Sequence, residues 1–149
     1  MNLLLSLFGM ALTADIEVLS MFPNVGYIVE LPTAIADTYY KGALLNFDAS
    51  GNPVVAADTS NHTFAGINQK HVVVASGETK YLSILMSSVV RLAHTGAAKT
   101  DIGAMFYATA DDTLADSASN VGPCGMCVGF ETGYVIIDTG IRVLRDTTA

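Results

Sequence analysis

The sequence predicts an all-β fold: a small sandwich or barrel-like single domain of about ten short strands, preceded by an apolar N-terminal arm or short helix. From Lys41 onward, short runs rich in valine, isoleucine and aromatic residues alternate with turns of Gly, Asp, Asn and Ser. Hydrophobic residues make up 51% of the 149 residues and charged residues only 14%, which indicates a packed core. Because no linker or internal repeat divides the chain, we expect one unit, with an arm and lead-in strand at 1–40 and the β domain at 41–149.

The segment MNLLLSLFGMALTAD is an apolar arm, and its residues 2–12 are the best helix candidate of the chain. It lacks the basic start of a signal peptide, so we expect it to stay on the protein. It is also shorter than the roughly 20 apolar residues that cross a membrane. We expect its large side chains to pack on a partner protein, on a sister subunit or on the chain's own domain. These interface candidates are Leu3, Leu4, Leu5, Leu7, Phe8, Met10 and Leu12.

The remaining elements follow from the alternation of apolar runs and turn residues along the chain. A short strand, GYIVEL, lies in the lead-in segment, and LPTAIADTYY is long enough for one helical turn. The turn residues ASGET between HVVVA and KYLSILM predict a hairpin centred on Gly77. The strands predicted from Lys41 onward are ALLNF, PVVAA, FAGIN, HVVVA, KYLSILM, SSVVRLA, AMFYATA, TLA, VGPCGMCVGF, YVIIDT and IRVL.

The charge of the chain argues against contact with nucleic acid or with an anionic membrane surface. Seven basic and 14 acidic residues give a net charge of −7 at pH 7. The basic residues stand singly along the sequence, and the first 40 residues contain none. Binding to phosphate groups requires clustered Lys and Arg side chains that displace counterions. We therefore expect no direct binding of nucleic acid and no membrane association.

Cys124 and Cys127 are the only cysteines, and their C-x-x-C spacing is compatible with a redox centre, half of a metal site or two buried strand residues. A redox pair lies at the start of a helix, whereas VGFETGYVIID has the pattern of strand, turn and strand. A structural zinc ion needs four ligands, and the three histidines lie singly in unrelated segments. We expect two structural residues whose side chains, three positions apart in a strand, point to opposite faces. A redox or metal role remains the alternative.

No other group of residues has the pattern of an active site or a cofactor site. The sequence contains no G-x-S-x-G motif, no P-loop and no dinucleotide-binding fingerprint. We expect His94 to lie in a loop or at a strand end. Asp111-Asp112 is expected to form a solvated turn rather than a calcium site, which needs six to eight oxygen ligands. The sequence therefore predicts a protein that is not an enzyme, holds no metal or cofactor, and acts through its surfaces.

Three stretches, taken in order, resemble the tailed-bacteriophage capsid decoration, or head cement, proteins over roughly residues 40–140. The first contains a Gly-Ala strand opening at Gly42, a D-x-x-G turn, an Ala-Asp loop and a Phe-Ala-Gly strand. The later ones contain a D-x-G segment before an aromatic strand, a D-D-T-L turn and a closing V-G…G-x-V-x-I-D. The order and spacing of these elements carry the resemblance, which leaves out the arm. The stretches are YKGALLNFDASGNPVVAADTSNHTFAGI, VVRLAHTGAAKTDIGAMFYATADDTLADSASN and VGPCGMCVGFETGYVIIDT.

The resemblance implies a structural virion protein on the outer surface of the capsid head. Such a protein binds the expanded icosahedral shell as a homotrimer and clamps neighbouring major capsid subunits against the pressure of the packaged DNA. The major capsid protein would be its partner. The resemblance does not cover the arm; its uninterrupted apolarity leads us to expect contact with the capsid or a sister subunit, with packing on its own domain as the alternative. A phage tail or neck subunit, or a receptor-binding β module, has the same all-β character and is the first alternative. A small C-x-x-C redox or metal-binding protein is the second.

Overall fold

The computed structural model describes residues 11–21 and 26–140, and this part of the chain folds almost entirely into β-strands. The apolar runs form strands because β-branched and aromatic side chains fit a pleated surface, while Gly, Asp and Asn occupy the turns. The all-β prediction is therefore confirmed. The described strands are β1 Leu19–Ser20, β2 Tyr27–Thr33, β3 Asp37–Tyr39, β4 Leu44–Phe47, β5 Pro53–Val55, β6 Thr63–Asn68, β7 Val72–Val74, β8 Lys80–Met86, β9 Val89–Ala93, β10 Met105–Ala110, β11 Thr113–Ala115, β12 Gly125–Glu131 and β13 Tyr134–Asp138.

The described strands form three sheets whose pairings are all antiparallel. A six-stranded sheet has the order β1-β9-β13-β12-β10-β11, and a five-stranded sheet has the order β2-β8-β6-β4-β5. β3 and β7 form a separate two-stranded sheet. The outer strands β2 and β5 of the five-stranded sheet approach each other, so this sheet curls toward a barrel.

The five-stranded sheet lies between two hydrophobic cores. The first core, shared with the six-stranded sheet, contains Phe64 and Ile67 of β6 together with Phe106 of β10. The second core lies on the opposite face of β6 and contains Ala65 together with Tyr39 of the two-stranded sheet. Because neighbouring residues of β6 face different cores, the run FAGIN is apolar throughout and does not alternate with polar residues. The molecule is thus a β-sandwich with a third, smaller layer.

The segment before Lys41 contributes a strand to each of the three sheets. β1 pairs with β9, β3 pairs with β7, and β2 pairs with β8 along all seven of its residues. The lead-in segment is therefore hydrogen-bonded to strands that follow it in the chain. The helix predicted for 2–12 lies outside the described residues except at 11 and 12, which are not helical, and the strand IRVL lies outside them entirely.

Two local predictions are wrong. The stretch LPTAIADTYY holds the end of β2 and all of β3 rather than a helical turn, because both segments pair with distant strands. The turn at Gly77 forms, with the N–H of Glu78 donating to the carbonyl oxygen of Ala75 over 3.0 Å, but its flanking strands do not pair with each other. Pairing of β7 with β3 instead carries Val72 and Val74 into the second core. The one helical segment among the described residues is a 3₁₀ turn at Lys99–Asp101.

Candidate interaction surface

The two cysteines are buried thiols of the first core. The thiol of Cys127 donates to the carbonyl oxygen of Gly129 over 3.1 Å, and burial raises the pKa of this thiol. A raised pKa keeps the thiol protonated and poorly nucleophilic near neutral pH. No helix begins at the pair, and no three His, Cys, Asp or Glu side chains of 11–21 and 26–140 group as metal ligands. The geometry is that of two core residues.

The prediction that these two sulfurs point to opposite faces is wrong. β12 begins only at Gly125, so the alternation of faces along a strand does not extend back to Cys124. The backbone N–H of Cys124 donates to the carbonyl oxygen of Phe106 over 2.8 Å, and the backbone N–H of Cys127 donates to the carbonyl oxygen of Ala104 over 2.9 Å. Both cysteines are buried in the same core.

The Asp111-Asp112 turn is buried at its first residue, so the prediction of a solvated turn is wrong there. Asp111 is only 8% exposed, and its Oδ1 accepts the backbone N–H of Leu12 over 3.3 Å. Burial raises the pKa of Asp111, and the carboxylates of Asp112 and Asp37 raise it further. The segment that follows the arm covers this turn, and the sequence gives no local sign of that contact. His94, in contrast, lies directly after β9 as predicted, with its ring edge-on to Phe106.

Residues 12–21, named the arm base here, are fixed to the domain along their whole length. Leu12 is buried in the second core. The N–H of Ile16 donates to the carbonyl oxygen of Lys41 over 2.8 Å, and the N–H of Met21 donates to that of Val89 over 2.9 Å. Between them, β1 pairs with β9. The arm base therefore crosses from the second core to the edge of the six-stranded sheet.

Asp15 is the main polar anchor of the arm base. Its Oδ1 accepts the backbone N–H of Lys41 over 2.8 Å and lies 2.8 Å from Nδ1 of His71. The Lys41 donor is the largest cause that lowers the pKa of Asp15, and His71 lowers it further. Lys41 Nζ also lies 2.6 Å from Glu17 Oε1. Exposed ion pairs stabilise a fold only slightly, so these contacts chiefly fix the direction of the arm base.

Gly42 lets the arm base approach the domain closely. Its φ of +87° is in the left-handed region that favours glycine. A Cβ at this position would overlap Cγ1 and the carbonyl oxygen of Ile16. Glycine is therefore required here both by the backbone conformation and by the passage of Ile16.

A groove of about 160 Å³ lies beside the arm base, and we call it the β9 groove. Residues 16–19 form one wall, and residues 91–93 with Tyr134 form the other. The groove exists because β1 and β9 pair at two positions only, so the ladder ends before Glu17 and Ala93 meet. Its walls are largely apolar. At its rim, the Arg91 guanidinium lies 4.1 Å from the centroid of the Tyr134 ring and 3.0 Å from a carboxylate oxygen of Glu131.

Large apolar side chains are also exposed elsewhere on the described residues, and two groups of them are named here as patches. The edge patch consists of Tyr27, Ile28 and Tyr81, which are 55–62% exposed along the paired strands β2 and β8. Ile28 and Tyr81 share one face of the pair at positions four residues apart in the register, and Tyr27 precedes Ile28 at the start of β2. The end patch consists of Ile102, Val128 and Phe130, which are 40–48% exposed. Ile102 and Val128 come together because the N–H of Gly103 donates to the carbonyl oxygen of Cys127 over 2.7 Å. The two patches lie on different sheets of the sandwich.

Of the seven interface residues predicted from the sequence, only Leu12 is among the described residues, and it is buried in the chain's own second core. The anchors and the β9 groove have no sequence signal, since Leu12 and Asp111 are 99 positions apart. Gly42, two residues before β4, is a local feature that is compatible with a close approach, but a glycine alone does not name the segment that approaches it. The other six candidates, whose contacts stay predictions, lie outside the described residues: Leu3, Leu4, Leu5, Leu7, Phe8 and Met10.

Comparison of the chain with protein-family models, with curated proteins and with solved structures finds no match. Within 11–21 and 26–140, no helix is long and apolar enough to cross a membrane.

Proposed function

We propose that this chain is a structural virion protein that binds the outer surface of the expanded phage capsid and clamps neighbouring major capsid subunits. The observation that carries the proposal is the distribution of side chains. The thiols and Asp111 face inward, whereas the edge patch and the end patch present apolar side chains on two different sheets. A single body with two separate apolar patches is suited to contact two subunits at once. It acts without chemistry, as a homotrimer, and makes no contact with DNA.

The strength of one patch alone is modest. Complete burial of a large apolar side chain contributes about 1.5–3 kcal/mol, and less where the side chain is already half covered. Association costs about 4–15 kcal/mol in lost translational and rotational freedom, so three side chains give weak binding. A trimer that presents six such patches gains about 10²–10⁴-fold in avidity, because later contacts are intramolecular. Weak single contacts then suffice for lasting attachment.

A protein that clamps its neighbours also needs rigid loops. Asp58 ties its own loop to the backbone of residues 119–121. Its carboxylate accepts the backbone N–H groups of Ser119, Asn120 and Val121 over 3.1, 2.8 and 2.9 Å. These donors lower the pKa of Asp58. The stabilisation is therefore present above the ordinary pKa of the group and is lost as the pH falls through the lowered value. The net charge of −7 is consistent with an outward-facing protein that keeps particles apart in solution.

Co-sedimentation with expanded phage heads that lack this protein tests the proposal, with unexpanded shells as the comparison. We expect saturable binding to expanded heads only. The pairs Ile28→Ser/Tyr81→Ser and Val128→Ser/Phe130→Ser should each weaken binding about tenfold, which corresponds to about 1.4 kcal/mol. Val73→Ser removes an exposed apolar side chain outside both patches and should bind normally. Absence of binding to either shell would favour the tail, neck or receptor-binding alternative.

A further inference from the structure

The six-stranded sheet has apolar side chains on both of its faces, and the first core covers only one of them. We propose that the opposite face, called the outer face here, is the contact surface between copies of this chain. The inference deepens the proposed function and rests on it for the number of copies, but not for the location of the contact. The large apolar side chains of the outer face are Leu19, Met105, Tyr107, Met126, Tyr134 and Ile136.

On β13, the outer face follows from the alternation of side chains along the strand. Val135 and Ile137 lie in the first core, so Tyr134 and Ile136 point to the opposite side of the sheet. Both are partly exposed and belong to neither core. An antiparallel sheet with one solvated face has polar residues at such positions, whereas YVIID is apolar at every position but the last. As at β6, an apolar run of this kind indicates that both faces of the strand are covered.

The neighbouring strands continue the outer face. Phe106 of β10 lies in the first core, so Met105 and Tyr107 on either side of it point outward. Cys127 of β12 lies in the same core, and Met126 before it points outward. Met105 and Met126 are directly opposite each other in the register, so the two thioether side chains are neighbours near the middle of the sheet.

On the β1 side, the outer face runs into the β9 groove. Leu19 is 53% exposed and lines this groove together with Ala93 and Tyr134. Ala93 and Tyr134 are opposite each other in the register and both lie on the outer face. The flat face and the groove therefore form one continuous, largely apolar surface.

The outer face is large enough for a stable contact between proteins. Six strands about 4.8 Å apart, each with about five residues of 3.4 Å, span about 24 by 17 Å, or about 400 Å² in plan. Side chains that stand on a pleated sheet have more accessible area than this plan area. Monomeric proteins rarely expose contiguous apolar surfaces above a few hundred Å², and a specific contact buries at least about 500 Å² on each partner.

A second copy of the chain is the occupant that this composition favours. Permanent contacts between identical subunits are more apolar than the rest of a protein surface, whereas contacts between proteins that also exist apart are not. A capsid would leave the outer face in water until the particle assembles. A sister copy covers it as soon as the chain has folded.

The charges of the outer face also suit a copy of itself. The Arg91 guanidinium lies 3.0 Å from a carboxylate oxygen of Glu131 and 4.1 Å from the centroid of the Tyr134 ring, so it is neutralised within its own chain. Asp138 is the remaining charged side chain among the described strand residues of this face. Such a face has no cluster of one sign that would select an oppositely charged partner.

A charge placed near the middle of the outer face tests the contact. Met126→Lys puts an ammonium group opposite Asp138 in the register, a cross-strand pair that a separate copy tolerates. Between two copies the same lysine would be removed from water, and we expect the dissociation constant to rise about a hundredfold. Val73→Lys is the matched control, because it places the same charge at a 49% exposed strand position of the two-stranded sheet.

Sedimentation equilibrium of the full chain measures the association, and circular dichroism checks the fold of each variant. The natural protein and Val73→Lys should have three times the mass of one chain, and Met126→Lys the mass of one chain. A natural protein that is monomeric at micromolar concentration would overturn the proposal, as would a folded Met126→Lys that associates like the natural protein. A natural dimer that Met126→Lys separates would support this contact and contradict only the copy number of the proposed function. Loss of capsid binding would contradict the proposed function without changing these masses.

Methionine oxidation tests the same contact in the natural protein, without a substitution. Hydrogen peroxide converts accessible methionine to its sulfoxide, and Met105 and Met126 should react about tenfold faster after dilution to separate copies than in the associated protein. Peptide mass spectrometry measures each rate. Met86, which packs against the second core, is the internal control and should react at one rate at both concentrations. Rates at Met105 and Met126 that do not change on dilution would overturn the proposal, because the outer face would then be open in the oligomer or covered by its own chain.

Discussion

Gly42→Ala tests whether the arm base lies against the domain as described. Gly42 and Gly77 have nearly the same backbone conformation, with φ of +87° and +83°. A Cβ at Gly77 would have no heavy atom within 4 Å, whereas one at Gly42 would overlap the backbone of Ile16. Gly77→Ala is therefore a control with the same backbone strain and no collision.

The expected magnitudes differ accordingly. Left-handed backbone costs a residue with a Cβ about 1–2 kcal/mol, and we expect Gly77→Ala to lower the free energy of unfolding by that amount. Gly42→Ala must also push Ile16 away. It then loses the hydrogen bond from Ile16 to Lys41, worth about 1 kcal/mol, and part of the packing of Leu12, worth about 1–2 kcal/mol. We therefore expect Gly42→Ala to lower the free energy of unfolding by about 3–5 kcal/mol.

Urea denaturation of both variants measures this difference, and hydrogen exchange at the Ile16 amide locates it. Only Gly42→Ala should accelerate exchange at Ile16, because only there is the bond to Lys41 broken. Equal destabilisation by the two substitutions, with Ile16 still protected in both, would refute the close approach of the arm base to Gly42.

Three further predictions concern the cores and the buried carboxyl. Phe106→Ala should lower the free energy of unfolding by about 3–5 kcal/mol, because Phe106 is fully buried in the first core. Phe130→Ala, at a 40% exposed position, should lower it much less. Similar losses of stability for the two variants in thermal or urea unfolding would contradict the description of that core. Burial raises the pKa of Asp111, so the stability it contributes is present below its ordinary pKa and is lost as the pH rises through the raised value. Asp111→Asn removes this dependence, so its stability relative to the natural protein should increase as the pH rises above the ordinary pKa of an aspartate; a difference that falls with rising pH would show the sign to be wrong. Cys127 should react with a thiol reagent only as the protein unfolds, and rapid labelling of the native protein would contradict its burial.

The all-β character was predictable because short apolar runs and turn residues, both local features of the sequence, determine it. The run FAGIN was predicted to be a strand and forms most of β6. Its polar and apolar residues do not alternate because a hydrophobic core lies on each face of β6, which the sequence alone does not reveal. Pairing was not predictable in the same way. β7 lies five residues before β8 yet pairs with β3, because this arrangement carries Val72 and Val74 into the second core.

The candidate surface was less accessible from the sequence than the fold. The arm was recognisable as apolar, but its base is held by Asp15 and Asp111, whose partners are 26 and 99 positions away. The β9 groove arises because β1 and β9 pair at only two positions, and no sequence pattern indicates where the pairing of two strands ends. The burial of Asp111 has the same origin, since a turn is solvated only if no distant segment covers it.

The most direct test of capsid decoration is cryo-electron microscopy of expanded heads that lack this protein, imaged before and after incubation with the purified chain. The proposal predicts new density on the outer surface at threefold positions, with a three-copy unit touching several major capsid subunits and with no such density on unexpanded shells. Expanded heads that remain bare at saturating protein, or density confined to the tail or neck, would contradict it.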